Sequence, residues 1–245
     1  MVNLKSLSLD ISYYRDWVAK RENIRKAESK RPFFVTISRE YGCEGRQIAE
    51  SFIAKRKADY GEEWTIFTRK ILDEMISDDE LTMKIVSKVT KEPLSYKDWF
   101  IDSLVPDYLK SPSSKIFEKM QHLIISLAEK GNVLFLGAGS QIITHNLSPR
   151  QFNALHIRVI AGLRWRIKRI AKVENISLDA AEKIILERQG LRERFLGNFT
   201  VFDPTSPTLY NMIFNNSRAD ADLIVNTLYN YVQLSEAREN IPPIS

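Results

Sequence analysis

Residues 33–37, Phe33-Phe34-Val35-Thr36-Ile37, form a short apolar run rich in β-formers, and together with the next sixteen residues they constrain the fold more than any other stretch. Gly42 and Gly45 come next, inside a polar turn. After them Ile48, Ala49, Phe52 and Ile53 recur at helical spacing. The pattern predicts a buried strand, a glycine turn and then a helix opened by Arg46. Similar short runs occur at 64–67, 132–136, 155–160 and 212–215, separated by helical stretches. Buried strands alternating with helices imply a parallel sheet covered on both faces. In such sheets ligands sit beyond the carboxyl ends of the strands.

The rest of the chain divides around that core. Residues 1–31 are expected to be a helical extension, since Ile11, Tyr14, Trp17 and Val18 fall at helical spacing. Residues 32–235 form the expected domain and 236–245 a tail. Residues 70–110 read as helical and irregular, with Pro93, Pro106 and Pro112 as breaks. Ser113 or Ser114 is expected to cap a helix ending at Gly131. An arginine-rich helix is expected from Leu163 to about Val173, and another after the capping residue Ser177. Residues 195–209 read as loop, and 219–232 as a closing helix.

Bulk properties narrow the function classes. The formal net charge is +5. That suits a polyphosphate site, and no nucleic-acid motif accompanies it, so nucleic acid is not an expected partner. Cys43 is the only cysteine, which excludes a disulfide within the chain and fits a reducing cytoplasm. No apolar run reaches membrane-spanning length, and Lys5, Asp10 and Arg15 interrupt the amino terminus, so no membrane or signal segment is expected. His122, His145 and His156 show no ligand spacing, and no metal site is assigned. Oligomeric state is not legible.

A glycine turn leading into a helix can make a nest of backbone N–H groups for phosphate. The standard loop is Gly, four residues, Gly-Lys, then Ser or Thr. Aligned on Gly45, this chain has Glu40, Arg46 and Gln47 at the other consensus positions. Two readings stand: a phosphate nest with Arg46 as its cation, or a turn using glycine only for geometry. Cys43, in the same turn, is either a thiolate favoured by the helix end or simply a small residue. Arg188 and Arg192 share a helical face, with Arg194 beyond, as a closing lid or as a charged surface.

Five ordered blocks between Phe33 and about Val232 resemble the cytidylate kinase-like family. Thr36-Ile37-Ser38-Arg39-Glu40-Tyr41-Gly42-Cys43-Glu44-Gly45-Arg46-Gln47-Ile48-Ala49 is similar to the family's I-S-R-x-x-G-x-G-G-R-x-I-A. Phe67 to Leu72 is similar to its Y-D-R-x-x-L, and Val133 to Ser140 to its V-x-x-x-G-R-G-A. Arg164 to Ile170 and Tyr210 with Asn215 to Arg218 complete the set. The chain departs from the family at Thr68, Ala138, Leu191 and Asn211, where the family carries aspartate, arginine, aspartate and aspartate.

The resemblance implies an α/β fold of the P-loop NTPase type, three-layered, with a central parallel sheet and helical lid and acceptor regions. It implies ATP and Mg²⁺ as cofactors, and phosphoryl transfer to a nucleoside monophosphate such as CMP or dCMP. The nucleotide and phosphate contacts it implies are Ser38, Arg39, Gly42, Cys43, Glu44, Gly45, Arg46, Gln47, Arg69, Gly137, Gly139 and Arg166. Arg46, Arg188 and Arg194 are the implied catalytic groups. A nucleotide-binding or sensing module without turnover is the alternative, because the chain keeps cations and loses carboxylates. A third reading is an anion-binding interaction protein.

Overall fold

The computed structural model describes residues 11–27, 31–77, 112–137, 139–145, 147, 151–197 and 203–239. Five strands form one all-parallel sheet: β1 (Phe33–Arg39), β2 (Thr65–Thr68), β3 (Val133–Leu136), β4 (Asn153–Ile160) and β5 (Met212–Asn215), in the order β2-β3-β1-β4-β5. The first strand is therefore central. The chain runs from it to one edge and later returns across it to the other. Such a reversal opens a crevice above the strand ends.

Alternation along β1 divides the core into two layers. Phe34 points into a cluster with Phe67, Phe135, Leu72 and Leu123. Val35 and Ile37 point into the opposite cluster with Ile48, Phe52, Leu134, Ile157 and Leu228. The first layer is built by α1 (Ile11–Ala27), α3 (Arg69–Ser77) and α4 (Pro112–Lys130). The second is built by α2 (Gly45–Tyr60) and α8 (Ala221–Glu239). The short α5 (Ser140–Thr144), then α6 (Leu163–Glu174) and α7 (Leu178–Gly197), stand around the crevice. This is a three-layer fold of the P-loop NTPase type.

Local signals set most boundaries. Gly61, at φ 67°, ends α2 with its N–H on the carbonyl of Lys57. The Ser177 hydroxyl accepts from the Ala180 amide at 3.2 Å and caps α7. Pro112, expected as a break, is instead the first residue of α4; a missing N–H costs nothing at a position without an intrahelical acceptor. The closing helix runs to Glu239, past the expected start of the tail, because Arg56 of α2 binds Glu236. Pro93 and Pro106 lie outside the described residues. No helix among the described residues is long and apolar enough to cross a membrane.

Candidate functional site

The turn after β1 is tied down on all sides. The Glu40 amide bonds the carbonyl of Val159, and the Cys43 amide bonds that of Glu40. Gly42 adopts φ +97°, and a Cβ there would lie 2.9 Å from the Cβ of Arg166, so neither backbone nor space admits a larger residue. Helix α2 begins at Gly45, one residue before Arg46. Its N-cap, Glu44, makes no side-chain cap bond. The amides of Gly45, Arg46 and Gln47 belong to a first turn that has no intrahelical acceptors. Such a helix end carries a partial positive charge, and Gly42, Cys43 and Arg46 beside it line a cavity.

Both glutamates of the turn are engaged elsewhere. Glu40 stands where the standard loop has glycine; its carboxylate accepts the Ala161 amide at 2.9 Å and lies 3.5 Å from Arg166 Nε. Glu44 accepts from Asn216 Nδ2 at 2.9 Å and from Arg169 Nε at 3.3 Å. Its own amide donates to Asn216 Oδ1 at 2.8 Å. The carboxylates thus anchor the turn to β4, α6 and the end of β5.

Helix α6 supplies the matching cations. Arg166, buried, donates to the carbonyls of Ala161 (2.9 Å) and Tyr41 (3.1 Å). Arg169 donates to the carbonyl of Gly42 at 3.1 Å. Arg166 lines neither cavity of the crevice. It holds the loop through backbone carbonyls, at a position where the resemblance implies a nucleotide or phosphate contact. The Cys43 thiol is pushed up to about 12, chiefly by burial and next by Glu40. That shift disfavours a thiolate and accords with a small residue packed in the turn.

Helix α7 lies over the turn. Gln189 Oε1 accepts the Tyr41 amide at 3.0 Å. Arg192 donates to the carbonyl of Arg39 at 3.1 Å and stacks on the Tyr41 ring at 5.2 Å. Arg188, exposed, faces the same space. Arg194 belongs to the same helix, and its side chain lies outside the described residues.

Beneath this helix are two adjoining cavities. One, of about 550 Å³, lies against the glycine turn and is lined by Arg39, Arg46, Arg69, Lys70, Arg188 and Arg192, among others. The other, of about 420 Å³, lies over the ends of β1 and β3, against Ser38, Gly137, Gly139, Gln141, Arg158 and Thr205. Arg39, Glu40, Arg69 and Arg192 face both. Arg69 Nε bonds both oxygens of Asp73, at 2.6 and 2.7 Å. That carboxylate lies one helical turn after Arg69 on the same helix. Arg46 stands at the mouth with Glu50 at 3.8 Å, and Gln47 is exposed beside it.

Arg39 occupies the boundary between the cavities. Its stem passes under Gly45, where a Cβ would meet its Cγ at 3.0 Å. Its guanidinium reaches Gly137, where a Cβ would meet Nη1 at 2.0 Å. Burial pulls its pKa down to about 9, and Arg192 and Arg46 pull the same way.

Arg158, Gln141, Gln189 and Asn216 are not among the contacts expected from the sequence, and Arg192 is expected only on the helical face it shares with Arg188. Arg158 donates to the Pro204 carbonyl at 2.7 Å and lies over the Tyr210 ring. A lone arginine within a buried strand was its available signal.

An uncapped helix end facing cations fits a nucleoside polyphosphate. The fit to Mg²⁺ is poor: Glu40, Glu44 and Asp73 are bound to cations or amides, and Gln47 replaces the usual hydroxyl. Among the described residues no group of three or more His, Cys, Asp or Glu could hold a metal ion.

The solved structure of an uncharacterized protein from Eubacterium ventriosum superposes with TM-score 0.62 at 16% identity, over 83% of this chain and 99% of that one. Shikimate kinase from Bacteroides thetaiotaomicron gives TM-score 0.43 at 12% identity, over 82% and 98% of the two chains. Cytidylate kinase of Methanocaldococcus jannaschii is 26% identical over 114 residues, which is 46% of this chain and 62% of that protein, so the match spans less than two thirds of the relative's length. The family model for the cytidylate kinase-like family matches residues 34–218, a span that holds the five described strands except Phe33, the glycine turn and both cavities. This chain belongs to the cytidylate kinase-like family.

Proposed function

We propose that the protein is a phosphotransferase that binds ATP at the Glu40–Gln47 turn and passes its terminal phosphoryl group to a nucleoside monophosphate, CMP or dCMP being the first acceptors to test. One observation carries this reading: an uncapped helix end opens on a cation-lined cavity that shares a wall of arginines with a second cavity. The second is of a size that small-molecule sites ordinarily have.

The amides of Gly45, Arg46 and Gln47 hold the donor phosphates, and Arg46 neutralises them from the mouth. Arg69, kept in place by Asp73, holds the acceptor phosphate between the cavities. An acceptor phosphate oxygen attacks the terminal phosphorus; the bond to the bridging oxygen of the donor breaks, and ADP leaves with that oxygen. Arg188 and Arg192 neutralise charge from above, and Arg194 extends the same helix. Catalysis here is positioning and electrostatics. Magnesium would enter as the nucleotide complex, and no step is assigned to it.

The second reading, binding without turnover, is favoured by the engagement of Glu40 and Glu44 with Arg166 and Arg169. A panel of nucleoside monophosphates with ATP and Mg²⁺, run beside thermal melts, separates the two. Turnover with a pyrimidine monophosphate is expected. A melting shift with ATP but no turnover across the panel selects the second reading; no shift with any nucleotide rejects both.

A further inference from the structure

We propose that Arg39, rather than Arg46, is the catalytic cation of this site, its guanidinium contacting the transferring phosphoryl group from the floor where the two cavities meet. This rests on the phosphotransfer reading of the site.

Three observations converge on Arg39. It faces both cavities, whereas Arg46 faces only the one beside the turn. Two glycines clear its path. Gly45 leaves room for its stem at 3.0 Å and Gly137 for its guanidinium at 2.0 Å, measured from the Cβ each lacks. The guanidinium also makes no hydrogen bond or ion pair with a carboxylate among the described residues, and Arg192 binds the carbonyl of the same residue. A cation embedded beside other cations is costly unless an anion joins them. A phosphoryl group passing between the cavities is such an anion, and a planar guanidinium can meet two of its oxygens at once.

In the standard loop the lysine after the second glycine reaches the terminal phosphates. Arg46 holds that place in the sequence, yet its side chain is 57% exposed and lies beside Glu50. The cation on the floor comes instead from the end of β1. The lowered pKa of Arg39 accords with this enclosed position.

The competing role for Arg39 is that of a filler supporting Gly137. Kinetics of Arg39→Met, Arg39→Lys, Arg39→Ala and Arg46→Met in the full chain distinguish the two, with melts run in parallel. Arg39→Met is expected to lower kcat on the order of a thousandfold, the scale of a lost arginine finger, while KM for ATP moves only severalfold. Arg39→Lys keeps stem and charge but loses the two-pronged contact, so its kcat stays well below wild type. Millimolar guanidinium ion should restore part of the activity of Arg39→Ala, which a filler role would not allow. Arg46→Met should act mainly on KM. Arg39→Met with kcat near wild type, or a loss of activity that tracks a loss of melting temperature in both Arg39→Lys and Arg39→Met, overturns the proposal and leaves phosphotransfer standing. No turnover by wild type overturns the phosphotransfer reading, and the catalytic role with it.

Discussion

His156 in β4 shows what burial does to a single side chain. It is 8% exposed, with Nδ1 2.9 Å from the hydroxyl of Thr36. Burial pushes its pKa down to about 4, and His145 adds to the effect. The unfolded chain takes up a proton near pH 6.5, while the folded chain resists until about pH 4. Its contribution is therefore fully present above pH 6.5 and is lost progressively as pH falls toward 4, by up to about 3 kcal/mol. Urea unfolding at pH 7.5 and pH 4.5 should show a larger acid loss for wild type than for His156→Gln. Equal losses would mean that the imidazole is not held neutral. The same scale explains where the sequence stopped. Arg39 and Arg166 both stood among the expected phosphate contacts, and no local pattern separates them. One is bound to the carbonyls of Ala161 and Tyr41, the other reaches a cavity. That difference depends on which acceptors the fold brings near, so it becomes visible only in three dimensions.

Elements were far more legible than contacts between them. The strand at Met212–Asn215 and the helix after Ser177 are dictated by apolar runs and a capping residue, and both stand as read. The junction of α2 with α8 has no such signature. Arg56, 1% exposed, bonds Glu62 through two nitrogens at 2.8 and 2.9 Å, and Glu236 at 2.9 Å. Its partners lie six and 180 residues away in the chain. Burial alone would lower its pKa; the hydrogen bonds of Glu236 and Glu62 outweigh burial and raise it. Arg56→Met keeps the buried stem and removes the charge. Breaking a buried pair costs several kcal/mol when the surviving partner stays buried. Here the glutamate side chains are 30% and 35% exposed and regain water, so a loss of about 2 kcal/mol is expected. It would be read as a lower urea midpoint at unchanged slope. An unchanged midpoint would show that the clamp adds nothing net.

At the scale of the whole molecule, helix α1 lies outside the stretch that matches the family, yet it belongs to the core. Tyr14, Trp17 and Val18 share a cluster with Phe67, Leu72 and Leu123, and the Tyr13 hydroxyl meets that of Thr65 on the edge strand β2 at 3.3 Å. The helical spacing was legible; the docking was not, since it needs β2 and α4 to be in place first. The seam carries a cost. The Tyr14 hydroxyl, the Trp17 indole nitrogen and both polar atoms of Gln121 are buried without hydrogen-bond partners among the described residues. Burial raises the Tyr14 phenol well above its ordinary pKa, so the group stays neutral and merely loses its water. An unsatisfied buried hydroxyl costs about 1–3 kcal/mol. Tyr14→Phe removes that hydroxyl and keeps the ring, which packs edge-on to Tyr13 and tilted against Phe67. It leaves almost no cavity, unlike truncation of Trp17, which would forfeit far more packing than it relieves. Tyr14→Phe should therefore stabilise the protein by about 1 kcal/mol, raising Tm by about 2–4 °C for a chain of this size. A melt of the variant beside wild type decides the matter: a lower Tm would mean that the hydroxyl has a bonded water and that the seam is satisfied.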